Sequence, residues 1–287
     1  MIAVYKKEVR GFLTSMTGYV FIAFLLAVCG IYMTAYHLQA AYPYFSYTLQ
    51  AITFVFLIAV PILTMRVLAE ERRQKTDQLL LTSPLSVTEI ILGKYLALVS
   101  IYAIPVILMG FYPLILAQFG QISFPETYVA LLGFFFMGCT FLSIGLYLSS
   151  VTESQVIAAV LTFLLLFVCY VIDGIASFFP ETAMASCLTL AAGCLLLALL
   201  IFLMTGQALI ALITGCILEL VLLVIYLVRS SLFEGLIQNI LGIFDLTGHF
   251  SEFSVGILDL NAAVYYLSVI GVCLFLTVQS VQKRRWS

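Results

Sequence analysis

The strongest constraint on this chain is a series of apolar runs, each long enough to cross a lipid bilayer. Crossing the hydrocarbon core takes about 20 helical residues. With 64% hydrophobic and only 9% charged residues, the chain cannot bury its apolar surface in one water-exposed core. We therefore predict an all-α, polytopic transmembrane helical bundle of six to eight spans. The runs lie at about 18–36, 50–66, 89–117, 127–149, 155–179, 187–205, 207–228 and 263–281.

The region 187–228 leaves the number of spans open. Its two apolar runs can form a tight helical hairpin, two separate spans or a partly re-entrant unit. The next segment, 229–262, carries apolar residues at helical spacing between Leu232 and Leu241. We predict an amphipathic surface or re-entrant helix there, on the outer face, followed by a loop.

The basic residues orient the chain. Cytoplasmic loops carry an excess of Lys and Arg, so we place both termini in the cytoplasm of a cell (inner) membrane protein. Arg229 is then the single basic residue outside, and the net charge of −2 gives no general attraction to nucleic acid. The cytoplasmic basic residues are Lys6, Lys7, Arg10, Arg66, Arg72, Arg73, Lys75, Lys94, Lys283, Arg284 and Arg285.

Residues 1–16 differ from the membrane domain, 17–287, that follows them. Their apolar residues recur at helical spacing, with the charged residues elsewhere on the wheel, which predicts an amphipathic helix lying in the membrane interface. The apolar set is Ile2, Tyr5, Val9, Phe12, Leu13 and Met16.

The segment 66–94 is the most charged part of the chain, and its pattern predicts a structured helix-turn-helix corner. A first helix ends at Ser83-Pro84, because proline disfavours the α conformation at the residue before it. Ser86 and Glu89 have the spacing of a capping box at the start of a second helix. The same spacing recurs at Thr152-x-x-Gln155.

The sequence lacks the common signatures of catalysis. Gly93-Lys94 is not part of a phosphate-binding G-x-x-x-x-G-K-[ST] loop, so we expect no ATPase site on this chain. His37 and His249 are far apart and are interpreted as surface or interfacial residues, with no metal site and no catalytic residues. We interpret the seven cysteines as small buried hydrophobic residues. We interpret the aromatic residues as facing lipid or lying in the aromatic belts at the membrane interfaces.

Two acids lie in apolar surroundings. Glu219 is near the middle of the run 207–228, and Asp173 lies toward the outer end of 155–179. A charge at mid-bilayer is costly, by about 3 kcal/mol, so such residues usually face protein or a wet cavity. They mark an intramembrane polar site or, alternatively, carboxyl groups that pack spans together.

The stretch from Thr64 to Lys94 resembles the first cytoplasmic loop of type-2 ABC transporter (ABC-2) permeases. It contains an acidic pair, a basic pair, Thr, three Leu, Thr-Ser-Pro, then Glu and Gly-Lys. It is most similar to the gliding-motility and nitrous-oxide-reductase-maturation branch. The sequences at 145–155, 250–260 and 283–286 support this resemblance, whereas the apolar hairpin at 187–228 departs from the usual six-span pattern.

The resemblance implies a permease that works with a separate ABC ATP-binding subunit, present in two copies. ATP and magnesium would bind to that partner, with no cofactor on this chain. A second permease subunit would complete a homodimer or related heterodimer in the lipid bilayer, and the helix at 1–16 would be the family's elbow helix. The residues implied in ATPase coupling are Glu70, Glu71, Arg72, Thr76, Leu79, Leu80, Leu81, Ser83, Pro84 and Glu89.

Other functions stay open at this point. A membrane-embedded enzyme acting on lipid could use Glu219, Asp173 or His249. An ATP-independent carrier is a third hypothesis, although such carriers often show inverted repeats and none is evident here. The substrate is not identifiable from the sequence, and export is favoured over import because no dock for a binding protein is evident.

Overall fold

The computed structural model describes residues 1–76, 85–120 and 122–285. Over these residues the chain is all-helical without β-strands, as predicted. The helices are α1 (Ile2–Thr14), α2 (Met16–Met33), α3 (Ser46–Ala51), α4 (Phe56–Thr64), α5 (Ala69–Arg73), α6 (Val87–Met109), α7 (Tyr112–Leu116), α8 (Phe124–Val151), α9 (Gln155–Ala176), α10 (Ala183–Thr205), α11 (Ala208–Val228), α12 (Leu236–Gly242), α13 (Phe250–Ser254) and α14 (Leu260–Arg285). A π-helix extends α2 over Thr34–Gln39, and 3₁₀ turns lie at Thr53–Val55 and Ser230–Phe233.

Seven helical segments in the described part of the chain are long and apolar enough to cross a membrane. An eighth is added if Leu212–Val228 and Ser230–Gly242, which bend by 116° at a short break, form one span. This number lies within the predicted six to eight. The seven segments are Met16–Gln39, Ser46–Arg73, Val87–Leu116, Phe124–Val151, Gln155–Ala176, Ala183–Leu203 and Leu260–Lys283.

The chain divides into two compact units. Unit 1 comprises residues 1–170 and 246–287, and unit 2 comprises residues 171–245. Helix α8 is the axis of unit 1, where it packs against α3, α4, α6, α13 and α14.

Glycines let the neighbours of α8 approach its backbone closely. A Cβ atom added at Gly133, Gly138 or Gly145 would overlap the side chains of Phe253, Tyr102 and Thr64, respectively. Small residues in a membrane helix permit such close contacts, in which dispersion forces act over short distances. The motif Gly145-x-x-x-Ser149 in the sequence therefore marks the contact of α8 with α4.

An aromatic cluster fills the centre of unit 1. The ring of Phe56 lies 4.9 Å from that of Phe134, 5.4 Å from Phe141 and 5.7 Å from Tyr102, measured between centroids. The Tyr102 hydroxyl is buried and donates to the Phe134 carbonyl at 2.8 Å, so its polar end is satisfied inside the bundle.

The predicted N-terminal helix is present as α1. Its apolar residues Val4 and Phe12 are buried, and it packs against α6 and α2. Gly93 of α6 makes room for it, because a Cβ there would lie only 3.1 Å from the Met1 carbonyl. The extended backbone of Ser15 (φ −94°, ψ 153°) separates α1 from α2. Its placement in the membrane interface stays a prediction.

The predicted capping box at the start of α6 is confirmed. Ser86 Oγ accepts from the Glu89 N–H, and Glu89 Oε2 accepts from the Ser86 N–H, both at 3.2 Å. The second predicted box is wrong. Thr152 ends α8 and accepts from the Ser154 N–H at 3.2 Å, whereas Ser154 caps α9 by accepting from the Ile157 N–H at 3.5 Å. Only the residue directly before the helix reaches its third N–H group.

Unit 2 is built on a helical hairpin of α10 and α11. Gly206 ends α10 in the left-handed conformation (φ +66°), where its N–H bonds the Phe202 carbonyl at 2.8 Å. Glycine is favoured at this position because it has no Cβ to clash. The two helices pack closely, since a Cβ at Gly215 would lie 3.0 Å from Ala198 Cβ.

The segment around 232–241, predicted to be an amphipathic surface or re-entrant helix, is helical but not continuous. A 3₁₀ turn covers Ser230–Phe233, and α12 begins only at Leu236. Between them Gly235 takes a left-handed conformation (φ +66°), and its N–H bonds the Glu181 carbonyl at 3.1 Å. A tertiary hydrogen bond thus replaces the continuous helix that the spacing predicted.

We expect Gly145→Ala to destabilise the chain by about 1–3 kcal/mol, because the added methyl overlaps Thr64 in a packed contact. The measurement is the free energy of unfolding in detergent micelles, followed by the loss of helical circular dichroism in SDS. The matched control is Gly30→Ala in α2, where an added Cβ meets no atom within 4 Å. Equal stability of the two variants would contradict the close contact of α4 and α8.

Candidate functional site

The residues predicted for ATPase coupling lie in and beside α5, where the structure describes them. Glu70, Glu71 and Arg72 are on α5, Thr76 follows its end, and Glu89 is in the first turn of α6. The other five, Leu79, Leu80, Leu81, Ser83 and Pro84, lie outside the described residues. The site is therefore described from the residues on either side of 77–84 and from the helices that contact them.

Ser149 of α8 fixes the start of α5. Its buried hydroxyl oxygen accepts from the N–H groups of Leu68 and Ala69, both at 3.2 Å, and it donates to the Met65 carbonyl at 3.3 Å. The first N–H groups of a helix have no partner inside the helix, so a buried helix start needs such an acceptor. The chain between α4 and α5 is thereby tied to the central helix.

Lys94 of α6 is the centre of the site. Its Nζ lies 2.8 Å from Glu8 Oε1 of α1 and 2.8 Å from Glu71 Oε1 of α5. It also donates to the Val67 carbonyl at 3.2 Å. An ammonium group has three donors, and these three acceptors match them. We call this group, Lys94 with Glu8, Glu71 and the Val67 carbonyl, the Lys94 clamp.

Burial makes the Lys94 clamp obligatory. The residue is only 1% exposed, and a buried ammonium is tolerated only where it is paired and hydrogen-bonded. Lys7 adds a second cation, 3.4 Å from Glu71 Oε1 and 3.7 Å from Glu8 Oε1. Its side chain is 63% exposed, so water screens it and its contribution is small. The clamp holds α1, α5 and α6 together by one shared charge.

A second set of charges lies on the more exposed side of α5. Arg66 donates to both carboxylate oxygens of Glu70, at 2.7 and 3.2 Å, and Gln74 Nε2 donates to Glu70 Oε1 at 3.2 Å. This bidentate pair at spacing i, i+4 stabilises the short helix but leaves its polar groups accessible.

Arg72 joins α5 to the end of α8. It is 8% exposed, and its Nη1 donates to the carbonyls of Ser150 and Thr152. A cation at a helix C-terminus also interacts favourably with the helix dipole. Among the described residues, Nε and Nη2 of this guanidinium have no hydrogen-bond partner. Arg72 is therefore a buried connection between helices.

The segment after α5 turns sharply. Lys75 adopts a left-handed conformation (φ +56°), and Thr76 bonds back to the Glu71 carbonyl through its N–H at 2.9 Å and its hydroxyl at 3.3 Å. A cleft of about 360 Å³ opens here between α1 and α5, lined by Lys7, Glu70, Glu71 and Gln74 among others. It presents charged and amide groups to the exterior of unit 1.

Sequence reasoning missed Lys94, Glu8 and Ser149 as site residues. Lys94 was interpreted only as a topology signal and as part of a family motif. Its position inside an apolar helix, with Ile91 and Leu98 on the same face, indicated that its charge needs buried partners. The sequence did not identify Glu8 and Glu71 as these partners, because both are distant from Lys94 in the chain.

The two acids predicted as an intramembrane polar site line separate cavities of unit 2. Glu219 faces an apolar groove of about 760 Å³ between α10 and α11, and its Oε1 has no partner among the described residues. Asp173 is exposed three residues before the end of α9, beside a cavity of about 490 Å³ that Glu181 and Asp245 also line. Whether either acid has a functional role stays a prediction.

Both histidines were predicted to be surface or interfacial residues, and His37 departs from this because it is buried. His37 is 8% exposed and bonds the Tyr42 carbonyl and the Thr48 hydroxyl. His249 stacks on Tyr265 with centroids 4.0 Å apart. Over the described ranges, no three His, Cys, Asp or Glu residues come together in a way that could hold a metal ion.

A comparison with protein-family models places most of the chain in a known family. The model of a family described as "ABC-2 family transporter protein" matches residues 32–281, most of the chain, including α5, Lys94 and α8. No curated protein matches the sequence.

We expect Lys94→Met to destabilise the chain by about 3–5 kcal/mol, because it leaves two carboxylates without their buried counter-charge. The measurement is the free energy of unfolding in detergent micelles. Lys7→Met is the matched control, with an expected loss below about 1 kcal/mol.

A triple variant separates charge from packing. Adding Glu8→Gln and Glu71→Gln to Lys94→Met removes the unpaired charges, so part of the stability should return. If Lys94→Met were as stable as Lys7→Met, the Lys94 clamp would not hold these helices together.

Proposed function

The chain belongs to the ABC-2 transporter family, and on that premise we propose that it is the permease subunit of an ATP-driven exporter, powered by a separate ATPase subunit. Its resemblance around residues 64–94 further supports the gliding-motility and nitrous-oxide-reductase-maturation branch. The sequence contains no phosphate-binding loop, so ATP and magnesium bind to the partner in this proposal.

The observation that carries the proposal is the Lys94 clamp. An ATPase that closes on α5 can move the membrane spans only if α5 is rigidly joined to them. Glu71 joins α5 to Lys94 of α6, and the same ammonium joins both to Glu8 of α1. Arg72 and Ser149 join α5 to α8. Force on α5 therefore reaches three helices, α1 and α6 through ion pairs and α8 through hydrogen bonds.

The docking surface proposed for the ATPase is the accessible side of α5 and the segment after it. Glu70, Gln74 and Thr76 line the cleft beside α1. The family resemblance adds the apolar patch Leu79–Leu81 and the corner Ser83-Pro84. A charged helix followed by an apolar patch suits a partner cleft that combines polar and buried contacts.

The orientation we propose places both termini and this segment in the cytoplasm of a cell (inner) membrane. The ion pair of Lys7 with Glu71 and the Lys94 ammonium that Glu8 and Glu71 share support a common location of the N-terminus and the first loop. Eleven of the twelve basic residues would lie on that side. We further propose that two permease subunits, identical or related, pair with two ATPase subunits, as the family resemblance implies.

The test is a charge exchange, Arg66→Glu/Glu70→Arg. It keeps an i, i+4 ion pair between α5 and the turn before it, so the free energy of unfolding should change by less than about 0.5 kcal/mol. It reverses the charges presented to the partner, so stimulation of the co-purified ATPase in nanodiscs should fall by about tenfold or more.

The matched control is Lys283→Glu, a charge reversal at an exposed site on α14, with stimulation expected to stay near that of the unmodified chain. Full stimulation in the exchange variant would contradict docking on α5. Failure of any ATPase to co-purify from native membranes, together with flux that continues without ATP, would contradict the proposed function as a whole.

A further inference from the structure

Six aromatic rings form a continuous file in unit 1, near the C-terminal end of α2. Neighbouring ring centroids along the file are 6.3, 5.8, 6.4, 5.6 and 6.3 Å apart. Such spacings are those of rings in direct contact. In order, the rings belong to Phe54, Tyr32, Tyr36, Tyr42, Tyr47 and Tyr44, which we call the tyrosine file.

An unusual backbone builds the centre of the tyrosine file. The end of α2 widens into the π-helix Thr34–Gln39, and the Tyr42 N–H bonds the Tyr36 carbonyl at 3.0 Å. Ala41, between them, has a left-handed conformation (φ +54°) that normally favours glycine. Wide helical turns and strained non-glycine residues cluster at functional sites, where surrounding structure holds them in place.

Buried His37 holds this strained segment. One ring nitrogen, Nδ1, lies 2.6 Å from the Tyr42 carbonyl, and Nε2 lies 2.9 Å from the Thr48 hydroxyl. The imidazole also contacts the buried Phe45 ring at 5.8 Å. The backbone carbonyl of Tyr42 is thereby fixed, while the residue as a whole is 51% exposed. The exposed ring is presented on a rigid support, which a residue that only anchors the protein in lipid does not need.

The tyrosine file borders a depression of about 410 Å³. Tyr36, Tyr42, Tyr47, Gln50 and Ala51 line it. Gln50 is anchored, because its Nε2 donates to the Ser254 hydroxyl of α13 at 2.6 Å. The volume is in the range of small-molecule sites, and a few placed polar groups in an apolar wall are typical of them.

The five residues that line this depression carry no charge. No Asp, Glu, Lys or Arg occurs anywhere between Arg10 and Arg66, so this part of the site offers no counter-charge. A quaternary ammonium group is held among several rings, each about 6 Å from it. The rings of the tyrosine file touch one another and leave no such gap. Neighbouring rings are tilted or edge-to-face, at interplanar angles from 36° to 86°, so a ligand along the file meets ring faces in several orientations.

We propose that the tyrosine file is a binding platform for neutral saccharide units. The C–H faces of a sugar ring carry partial positive charge and stack on the negative faces of aromatic rings. Phenol hydroxyls and the Gln50 amide suit the sugar hydroxyls. The file runs from Tyr32 and Phe54, inside candidate spans, to Tyr44 between spans, so a saccharide chain can contact successive rings. The proposal concerns binding by this chain alone and does not depend on ATPase coupling.

The test is saturation-transfer-difference NMR on the chain in phosphatidylglycerol nanodiscs, with maltotriose and triacetylchitotriose as probes. We expect saturation transfer to the C–H protons of at least one of them. Tyr42→Ala and Tyr47→Ala should weaken that binding by about tenfold, since stacking contributes on this scale, whereas Tyr42→Phe should keep most of it.

Tyr19→Ala is the matched control, because Tyr19 is 60% exposed near the start of α2, away from the tyrosine file at the end of that helix, and binding should be unchanged. Circular dichroism checks the fold of each variant. If Tyr42→Ala or Tyr47→Ala unfolds, Tyr44→Ala, at the exposed end of the file, is tested in its place. Three results would each overturn the proposal. They are no saturation transfer to either probe, equal transfer in the alanine variants and the unmodified chain, or tyrosine-dependent binding of phosphocholine in place of the saccharides.

Discussion

A buried ammonium group that needs two carboxylates determines how one end of unit 1 is assembled. Lys94 lies on a membrane-crossing helix, but its partners Glu8 and Glu71 come from an N-terminal helix and from the segment after the second span. Since an unpaired charge at this site is strongly unfavourable, α1 and α5 have to take up their observed positions together. A hydrophobic contact alone would allow them to slide, whereas three matched donors do not.

Helix α8 supplies the second constraint on the same segment. Gly145 lets Thr64 of α4 come close, and Ser149, one turn further on, bonds the backbone where α5 begins. Arg72 of α5 donates a hydrogen bond to the Thr152 carbonyl at the end of α8. The short α5 is therefore held from two sides, by charge from α1 and α6 and by hydrogen bonds from α8. Five helical residues would not be a stable helix without such support.

The two ends of unit 1 use the same backbone device for different chemistry. Among the described residues, the non-glycine positions with positive φ are Ala41 and Lys75. Lys75 turns the chain after α5, at the charged end that we propose docks an ATPase. Ala41 turns it after α2, beside the tyrosine file. In each case hydrogen bonds around the turn hold a conformation that is unfavourable locally.

Local pattern alone was sufficient for much of this protein. Apolar runs of bilayer length predicted the all-helical bundle and its span number, and the Ser86–Glu89 spacing predicted a capping box that is present. These features depend on residues within a few turns of one another. Tertiary structure alone decided that Gly235 breaks the predicted outer helix, that His37 is buried, and that Lys94 is shared by Glu8 and Glu71. Each of these depends on groups far apart in the chain, whose meeting is set by packing rather than by periodicity.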